Sequence, residues 1–245
     1  MIKLNMNYKT ALFKIGGKIL EDFENLNSTI SQLTQLFNES LFEKIIIIPG
    51  GGSFANFIRR IYNQLKFTEE IAHWMGIISM NYNGLELSKK FPNLQVVESY
   101  EKLKENRKNI CIFLPYEFIK ENDELPHSWD VTSDSISLFV GKQLELNECY
   151  LIKDVDGVLN KKNQVIKEIS TSEFRNMKKA GKLIKVIHEI NGLKEKTTPI
   201  DPYTTTLIDR YKISCIILNG SKNTSRIINY FKSSGIEEKI FTMIK

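Results

Sequence analysis

The sequence predicts an α/β fold, a three-layer αβα sandwich with a largely parallel central sheet, and three observations carry that reading. Strand-like runs such as Ile45-Ile46-Ile47-Ile48, after Lys44, are apolar throughout instead of alternating, which suits strands covered on both faces. Segments with helical spacing separate these runs along most of the chain, as crossover connections between parallel strands require. Two runs end in glycine-rich turns, at Gly16-Gly17 and at Pro49-Gly50-Gly51-Gly52, and a helical pattern follows each.

Taken in order, Thr10-Ala11-Leu12-Phe13-Lys14-Ile15 is the first buried strand, and Gly16-Gly17 breaks it with a turn. Ile30, Leu33, Leu36 and Phe37 recur at helical spacing, and Lys44–Ile48 is the second strand. Phe54, Phe57, Ile58, Ile61, Tyr62 and Leu65 then predict an amphipathic helix with Ser53 as its cap. A further helix runs from Ile71 to about Leu87, followed by short strands at Leu94–Val97 and Ile110–Leu114, the latter stopped by Pro115. The polar stretch Lys120–Pro126 leads through His127-Ser128-Trp129-Asp130 to a helix carrying Ile136, Phe139, Val140 and Leu144. Cys149–Val155 is the next strand. After Asp156-Gly157 comes a hairpin, Val158-Leu159 and Val165-Ile166 about a Lys161-Lys162-Asn163 turn, and then a less regular lysine-rich region to Pro199. Asp201-Pro202 restarts a helix, with Asp as cap and Pro at the first helical position. Ile213–Leu218 as a strand, Thr224–Phe231 as a helix and Lys239–Ile244 as a last strand complete the pattern. Residues 1–245 form a single domain, with a soft boundary near Glu145–Glu148, and ligands are expected at the carboxyl ends of the strands.

Composition narrows the function. Thirty-four basic residues against 29 acidic ones give a formal charge of +5, and the basic residues are scattered, so nucleic acid is not the expected partner. No apolar run approaches the roughly 20 residues that span a bilayer, and the start lacks the apolar core of a signal peptide, which predicts no membrane partner and a cytoplasmic protein. Cys111, Cys149 and Cys215 lie inside apolar runs without C-x-x-C spacing and read as small core residues, not metal or redox groups.

The chemistry concentrates at the two glycine turns. Each brings bare backbone N–H groups and a helix N-terminus to one place, a cradle for an anion. Neither is a Walker loop or a G-x-G-x-x-G fingerprint, and the missing fingerprint disfavours a dinucleotide oxidoreductase. Lys14 is the most informative residue: a full charge ending an apolar strand costs several kcal/mol unless it is paired or meets a ligand. A phosphate meets that need.

Lys14-Ile15-Gly16-Gly17 and the later Gly50-Gly51-Gly52 turn are where the chain resembles the amino acid kinase family. Thr132-Ser133-Asp134 resembles the family's short motif opening a helix, and Lys153-Asp154-Val155-Asp156-Gly157-Val158 its loop beside the nucleotide. The resemblance implies the amino acid kinase fold, an ATP- and Mg²⁺-dependent kinase, a small phosphate or carboxylate acceptor, and a homo-oligomer, expected to be a dimer. It places the acceptor on residues 1–147 and the nucleotide on residues 148–245. It further implies that Lys14 and Asp134 are catalytic, with Lys14 on the transferred phosphoryl group and Asp134 orienting the cations. Gly16, Gly17, Lys18, Lys153, Asp154, Asp156 and Gly157 are then expected to bind nucleotide phosphates. Gly50, Gly51, Gly52, Ser53 and Asn56 are expected to bind the acceptor, and no residue is a protein metal ligand. The family's Gly-Gly-Met-x-x-Lys segment, which supplies a second phosphate-binding lysine, has no match here; Lys153, Lys194, Lys196 and Lys222 are the candidates for its role. A nucleotide- or anion-binding protein without turnover is therefore the rival reading. The Gly50–Asn56 loop is similar to that of isopentenyl phosphate kinases, with Asn56 in place of their substrate-phosphate histidine. Leu125–Asp134 resembles more closely the archaeal-type branch that phosphorylates aminomethylfuran-methyl phosphate, and this adds His127 and Trp129 to the acceptor side. His73 and Trp74 read as packing residues on a helix face, and His188 as structural.

Overall fold

The computed structural model describes residues 10–105, 108–190 and 193–245, with 186–190 and 193–197 described as backbone only. The chain opens with β1 (Thr10–Ile15), the one-turn helix α1 (Gly17–Glu21) and α2 (Phe23–Asn38), then β2 (Lys44–Pro49). The helices α3 (Gly52–Leu65) and α4 (Glu69–Lys90) follow, then β3 (Gln95–Val97), α5 (Tyr100–Lys104), β4 (Asn109–Phe113) and α6 (Tyr116–Glu121). Next come α7 (Ser133–Gln143), β5 (Glu148–Lys153), β6 (Glu168–Ile169) and α8 (Thr171–Lys179). The hairpin of β7 (Val186–Ile190) and β8 (Leu193–Thr197) precedes α9 (Thr204–Tyr211), β9 (Ser214–Asn219), α10 (Arg226–Lys232) and β10 (Thr242–Ile244).

Eight strands form one sheet in the order β3-β4-β2-β1-β5-β9-β10-β6, parallel throughout except where β10 runs against β9. The predicted α/β fold with a largely parallel sheet is the one observed. β1 pairs directly with β5, so the sheet passes unbroken across the soft boundary near Glu145–Glu148. Period-2 alternation divides the core. Ala11, Phe13 and Ile15 pack with Leu33, Leu36 and Ile227 of α2 and α10, whereas Leu12 packs with Phe139 and Val140 of α7 and Leu207 of α9. Lys14 follows Leu12 by two residues and therefore points to the α7 side. On β5, Cys149 and Leu151 belong to that same side, and the next residue in step is Lys153. The alternation thus delivers two lysines, at the ends of adjacent strands, beneath one helix.

Several expectations need correction. Ser53 lies inside the first turn of α3 instead of capping it, because the helix begins at Gly52 and Gly51 is its cap residue. The apolar stripe of α3 is mostly open: Ile58 is buried, but Phe54, Phe57 and Leu65 are exposed. The lysine-rich region holds α8, which buries only Thr171 and Phe174 and so shows no apolar period, and the β7–β8 hairpin. α1, α5 and α6 are too short to leave a periodic trace. The hairpin after Gly157 is present as the Leu159–Val165 bridge with Asn163 at positive φ, and the last strand is shorter than expected. All three cysteines are buried and unpaired, and burial pushes the Cys111 thiol up to about 11. No helix among the described residues is long and apolar enough to cross a membrane.

Candidate active site

The two glycine turns meet above the sheet. Gly16 N–H donates to Ile152 O and Gly50 N–H to Ile15 O, both at 2.8 Å, which ties each turn to the end of a neighbouring strand. A side chain at Gly17 would stand 2.6 Å from the Cα of Gly52, and Gly52 itself has a φ of +55°, so the close approach of the turns requires glycine at both places. The N-terminus of α3 opens beside them. There the Glu21 carboxylate accepts from Ser53 N–H, a negative charge on the positive end of the helix.

Beneath the turns, Lys14 is 4% and Asp134 3% exposed, with Lys14 Nζ 2.8 Å from Asp134 Oδ1. Lys153 Nζ donates to both carboxylate oxygens of Asp134, at 2.7 and 2.8 Å. Two buried lysines therefore share one buried carboxylate, and the Asp201 carboxylate adds its attraction to Lys153 from further off. Burial pushes the Lys14 ammonium down to about 8, against the attraction of Asp134 and with the help of its neighbour Lys153. Burial alone would raise the Asp134 carboxyl, but the charges of Lys14 and Lys153 prevail and hold it at about 2. Burial opposes the charge on Lys153 as well, yet the double contact with Asp134 outweighs it and raises its pKa.

Asp134 sits in the first turn of α7, and that turn is held by a residue far along the chain. Asp201 accepts from the N–H groups of Thr132 and Ser135, both at 3.0 Å, and from their hydroxyls at 2.8 and 2.6 Å. It also accepts from Thr204 N–H at 2.8 Å and Thr204 Oγ1 at 2.7 Å, so one carboxylate caps both α7 and α9. The expected helix restart at Asp201-Pro202 begins instead at Thr204, with Asp201 three residues upstream of the N–H that it accepts.

A cleft of about 1110 Å³ opens over these groups. Of the residues singled out from the sequence, Gly17, Lys18, Gly51, Gly52, Ser53, Asn56, Trp129, Asp134, Lys153 and Asp154 line it. Lys18 and Asp154 face each other across it at 3.1 Å. Lys14 lies below its floor, bonded to Asp134, and Gly16 and Gly50 stand one residue behind the lining. Three others turn away. Asp156 accepts from Arg226 Nε at 3.0 Å and Asn219 Nδ2 at 3.1 Å, Gly157 packs on Thr242, and His127 bonds Asp123 at 2.7 Å and stacks behind His73. Of the four candidates for the second lysine, Lys153 reaches Asp134 and Lys222 pairs with Glu24; the side chains of Lys194 and Lys196, like that of His188, lie outside the described residues.

The cleft also contains groups that sequence reasoning passed over. Arg59 lies over the Trp129 ring, 4.6 Å from its centroid, and Arg60 lines the same wall. Their signal was present, since both follow Asn56 by about one turn of α3. His73 lines the cleft rather than serving only as packing, while Trp74 packs against the core as expected. Burial, with His127 beside it, pushes the His73 imidazole down to about 4, so it is neutral at ordinary pH. No group of three or more His, Cys, Asp or Glu side chains among the described residues is arranged to hold a metal.

Residues 9–219 match the model of the amino acid kinase family. The (5-(aminomethyl)furan-3-yl)methyl phosphate kinase of Methanocaldococcus jannaschii is 28% identical over 240 residues, which cover 95% of this chain and 96% of that protein. Among solved structures, the uridylate kinase of Archaeoglobus fulgidus aligns with a TM-score of 0.63 at 15% identity, over 97% of this chain and 100% of that one. The carbamate kinase of Giardia lamblia bound to AMP-PNP aligns at 0.58 and 16% identity, over 97% and 98%.

Proposed function

Because the chain belongs to the amino acid kinase family and is an ATP-dependent small-molecule kinase, we propose that it phosphorylates a small phosphate monoester of the aminomethylfuran-methyl phosphate class. The observation that carries this reading is the Lys14–Asp134–Lys153 cluster, whose two ammonium groups, held together by one carboxylate at the cleft floor, suit a phosphoryl group. Lys14 and Lys153 neutralise charge on the γ-phosphoryl oxygens as it moves, and Asp134 holds the two ammonium groups apart and aimed. The backbone N–H groups of the Gly16-Gly17 and Gly50–Ser53 turns add fixed dipoles.

The acceptor class is read from the groups at the cleft floor among the described residues. Asp134, held at about 2, takes no proton near pH 7, and Lys14 and Lys153 are occupied as cations. His73, the imidazole in the cleft wall, is deeply buried. The other carboxylates lining the cleft, Glu21 and Asp154, are engaged with Ser53 N–H and Lys18, and an alcohol acceptor needs a base. A phosphate monoester, with a second pKa of about 6, arrives already ionised. One of its oxygens attacks the γ-phosphorus, the bond to the β-γ bridging oxygen breaks, and the products are a phosphoanhydride and ADP. Arg59, Arg60 and the α3 N-terminus are placed to receive the acceptor's anionic end, with the Trp129 ring beside them for a flat body. The nucleotide takes the half of the cleft at Lys153–Val155. Mg²⁺ comes as the counterion of the nucleotide phosphates, which commonly hold it with its waters, and it supplies further charge neutralisation there. The resemblance also supports a homodimer.

The test is ADP release with aminomethylfuran-methyl phosphate, isopentenyl phosphate, uridylate and acetylglutamate as acceptors. Turnover is expected with the furan monoester above the rest. Preference for a carboxylate or for isopentenyl phosphate would overturn the proposed acceptor.

A further inference from the structure

One ring nitrogen in the cleft wall is buried without a hydrogen-bond partner. His73, in the second turn of α4, is 4% exposed and lines the cleft, and its Nε2 makes no hydrogen bond among the described residues. The ring bonds the backbone of Ser128, and because Nε2 is unbonded that contact falls to Nδ1. The contact favours the charged ring, as a carbonyl oxygen accepting from Nδ1–H does. Nδ1 therefore carries the hydrogen, and in the neutral ring that burial enforces, Nε2 is a bare acceptor. His127 stacks on the ring with centroids 5.1 Å apart, and Trp74 stands edge-on to it at 5.5 Å, so the cleft is the side left for Nε2. A buried acceptor without a donor is unfavourable, and one in a cleft wall is satisfied by what enters the cleft.

The course of α4 says which end of the acceptor His73 meets. Gly84 packs on Pro49 and Leu114 at the strand ends, and Gly76 O stands 3.5 Å from where a Gly51 side chain would begin. From Gly84 to Gly76 and on to His73 the helix thus leads away from the sheet, past the second glycine turn. His73 lies one turn beyond Gly76, about 4.5 Å along the axis. A side chain at Gly76 would meet the Trp129 ring at 3.9 Å, and glycine there keeps the wall bare between the turn and His73. A phosphate held at the glycine turns has its body along Gly76 and Trp129 and its far end at His73.

We propose that His73 is a specificity-determining residue of the acceptor pocket, its Nε2 accepting a hydrogen bond from an N–H group at the end of the acceptor remote from the phosphate. The inference rests on the monoester reading above and deepens it: in aminomethylfuran-methyl phosphate that group is the amine. A carbonyl or carboxylate in the same place would set lone pair against lone pair. A packing role alone leaves Nε2 unexplained, since stacking on His127 and Trp74 needs no free lone pair. The reacting oxygen lies with the Lys14–Asp134–Lys153 cluster on the cleft floor, so the ring holds the acceptor and takes no proton from it.

Steady-state kinetics with aminomethylfuran-methyl phosphate and with the ester that carries methyl in place of aminomethyl test the proposal, in the wild type, His73→Leu and His73→Gln. The wild type is expected to favour the amino ester in kcat/KM by about a hundredfold or more, because the analogue leaves a buried acceptor unpaired. His73→Leu is expected to bring the two esters within about threefold, through loss on the amino ester alone, with the KM for ATP unchanged. His73→Gln, whose amide oxygen reaches the place of Nε2, is expected to restore part of the preference. In the wild type with its three histidines labelled with nitrogen-15, the Nε2 resonance of His73 is expected to move with the amino ester and not with the methyl ester, and this result decides if His73→Leu fails to fold. Equal use of the two esters by the wild type, a preference that His73→Leu keeps, or an unmoved Nε2 resonance overturns the role of His73 and leaves the monoester reading standing. Turnover of uridylate, isopentenyl phosphate or acetylglutamate with neither furan ester overturns that reading and this inference with it.

Discussion

At the scale of single residues, the Lys14–Asp134–Lys153 cluster has an asymmetry that mutation exposes. Removing Lys14 leaves a neutral Lys153–Asp134 pair, so Lys14→Ala is expected to fold with equal or higher apo stability while kcat falls on the order of a hundredfold or more. Removing the charge of Asp134 leaves two buried ammonium groups side by side, so Asp134→Asn is expected to cost about 3–5 kcal/mol of stability as well as activity. Melting curves and steady-state kinetics on both variants check the contrast; a kcat within about threefold of wild type for Lys14→Ala would remove Lys14 from the chemistry. The same cluster sets a pH dependence. With a folded pKa of about 8 against 10.5 when unfolded, Lys14 binds fewer protons in the folded chain across that window, so stability contributed by this group rises with pH between the two values. Asp134, whose folded pKa is also lowered, has the same sign in a lower window: its stabilisation is present above about 3.8 and is lost as pH falls through about 2. Activity follows the charged form of Lys14, and kcat/KM for ATP is expected to decline above about pH 8, with the decline in kcat displaced upward because bound phosphate favours the ammonium. Lys14 was legible in the sequence because a charge inside an apolar strand needs an explanation. Lys153 could not be separated from three other lysines, because its place depends on β5 lying beside β1, a pairing that no local pattern records.

At the scale of elements, the long periodic segments were legible and the short ones were not. α2, α4, α7 and the central strands follow from spacing and apolar runs, whereas α1, α5 and α6 each span six residues or fewer. Asp201 shows a second limit: a capping residue was recognised for the helix next to it, but its grip on α7 is a contact between residues 66 and 69 positions apart. Because α7 carries Asp134, Asp201→Ala is expected to lose two helix caps, at roughly 0.5–2 kcal/mol each, and to lower kcat through misplacement of Asp134. Thermal melts read the first effect and kinetics the second; a variant with normal stability and normal kcat would remove Asp201 from this role. Glu21 acts at the start of α3 in the opposite sense. Its carboxylate holds the Ser53 N–H that an anionic acceptor is expected to use, so Glu21→Ala is expected to lower the acceptor KM severalfold. An unchanged acceptor KM would place the anion elsewhere, at Arg59 and Arg60 alone.

At the scale of the whole molecule, the helices that build the proposed acceptor wall also present an open apolar strip. α4 turns His73, Gly76, Ile77 and Met80 into the cleft while Ile71, Met75, Ile78, Tyr82 and Leu85 face outward. α3 contributes Gly52, Ser53 and Asn56 to the cleft and Phe54 to both the cleft and the strip. The proposed nucleotide half, at Lys153–Val155, is anchored instead on β5, which is held between β1 and β9 in the middle of the sheet. The two halves of the cleft therefore stand on different elements and respond separately to substitution. Arg60→Ala, on the α3 wall, is expected to raise the KM for aminomethylfuran-methyl phosphate by about tenfold, a cost near 1.4 kcal/mol, and to leave the KM for ATP within about twofold. Steady-state kinetics with each substrate varied in turn measure both constants. Equal increases would mean that Arg60 serves the whole cleft, and a rise confined to ATP would reverse the assignment of its two halves.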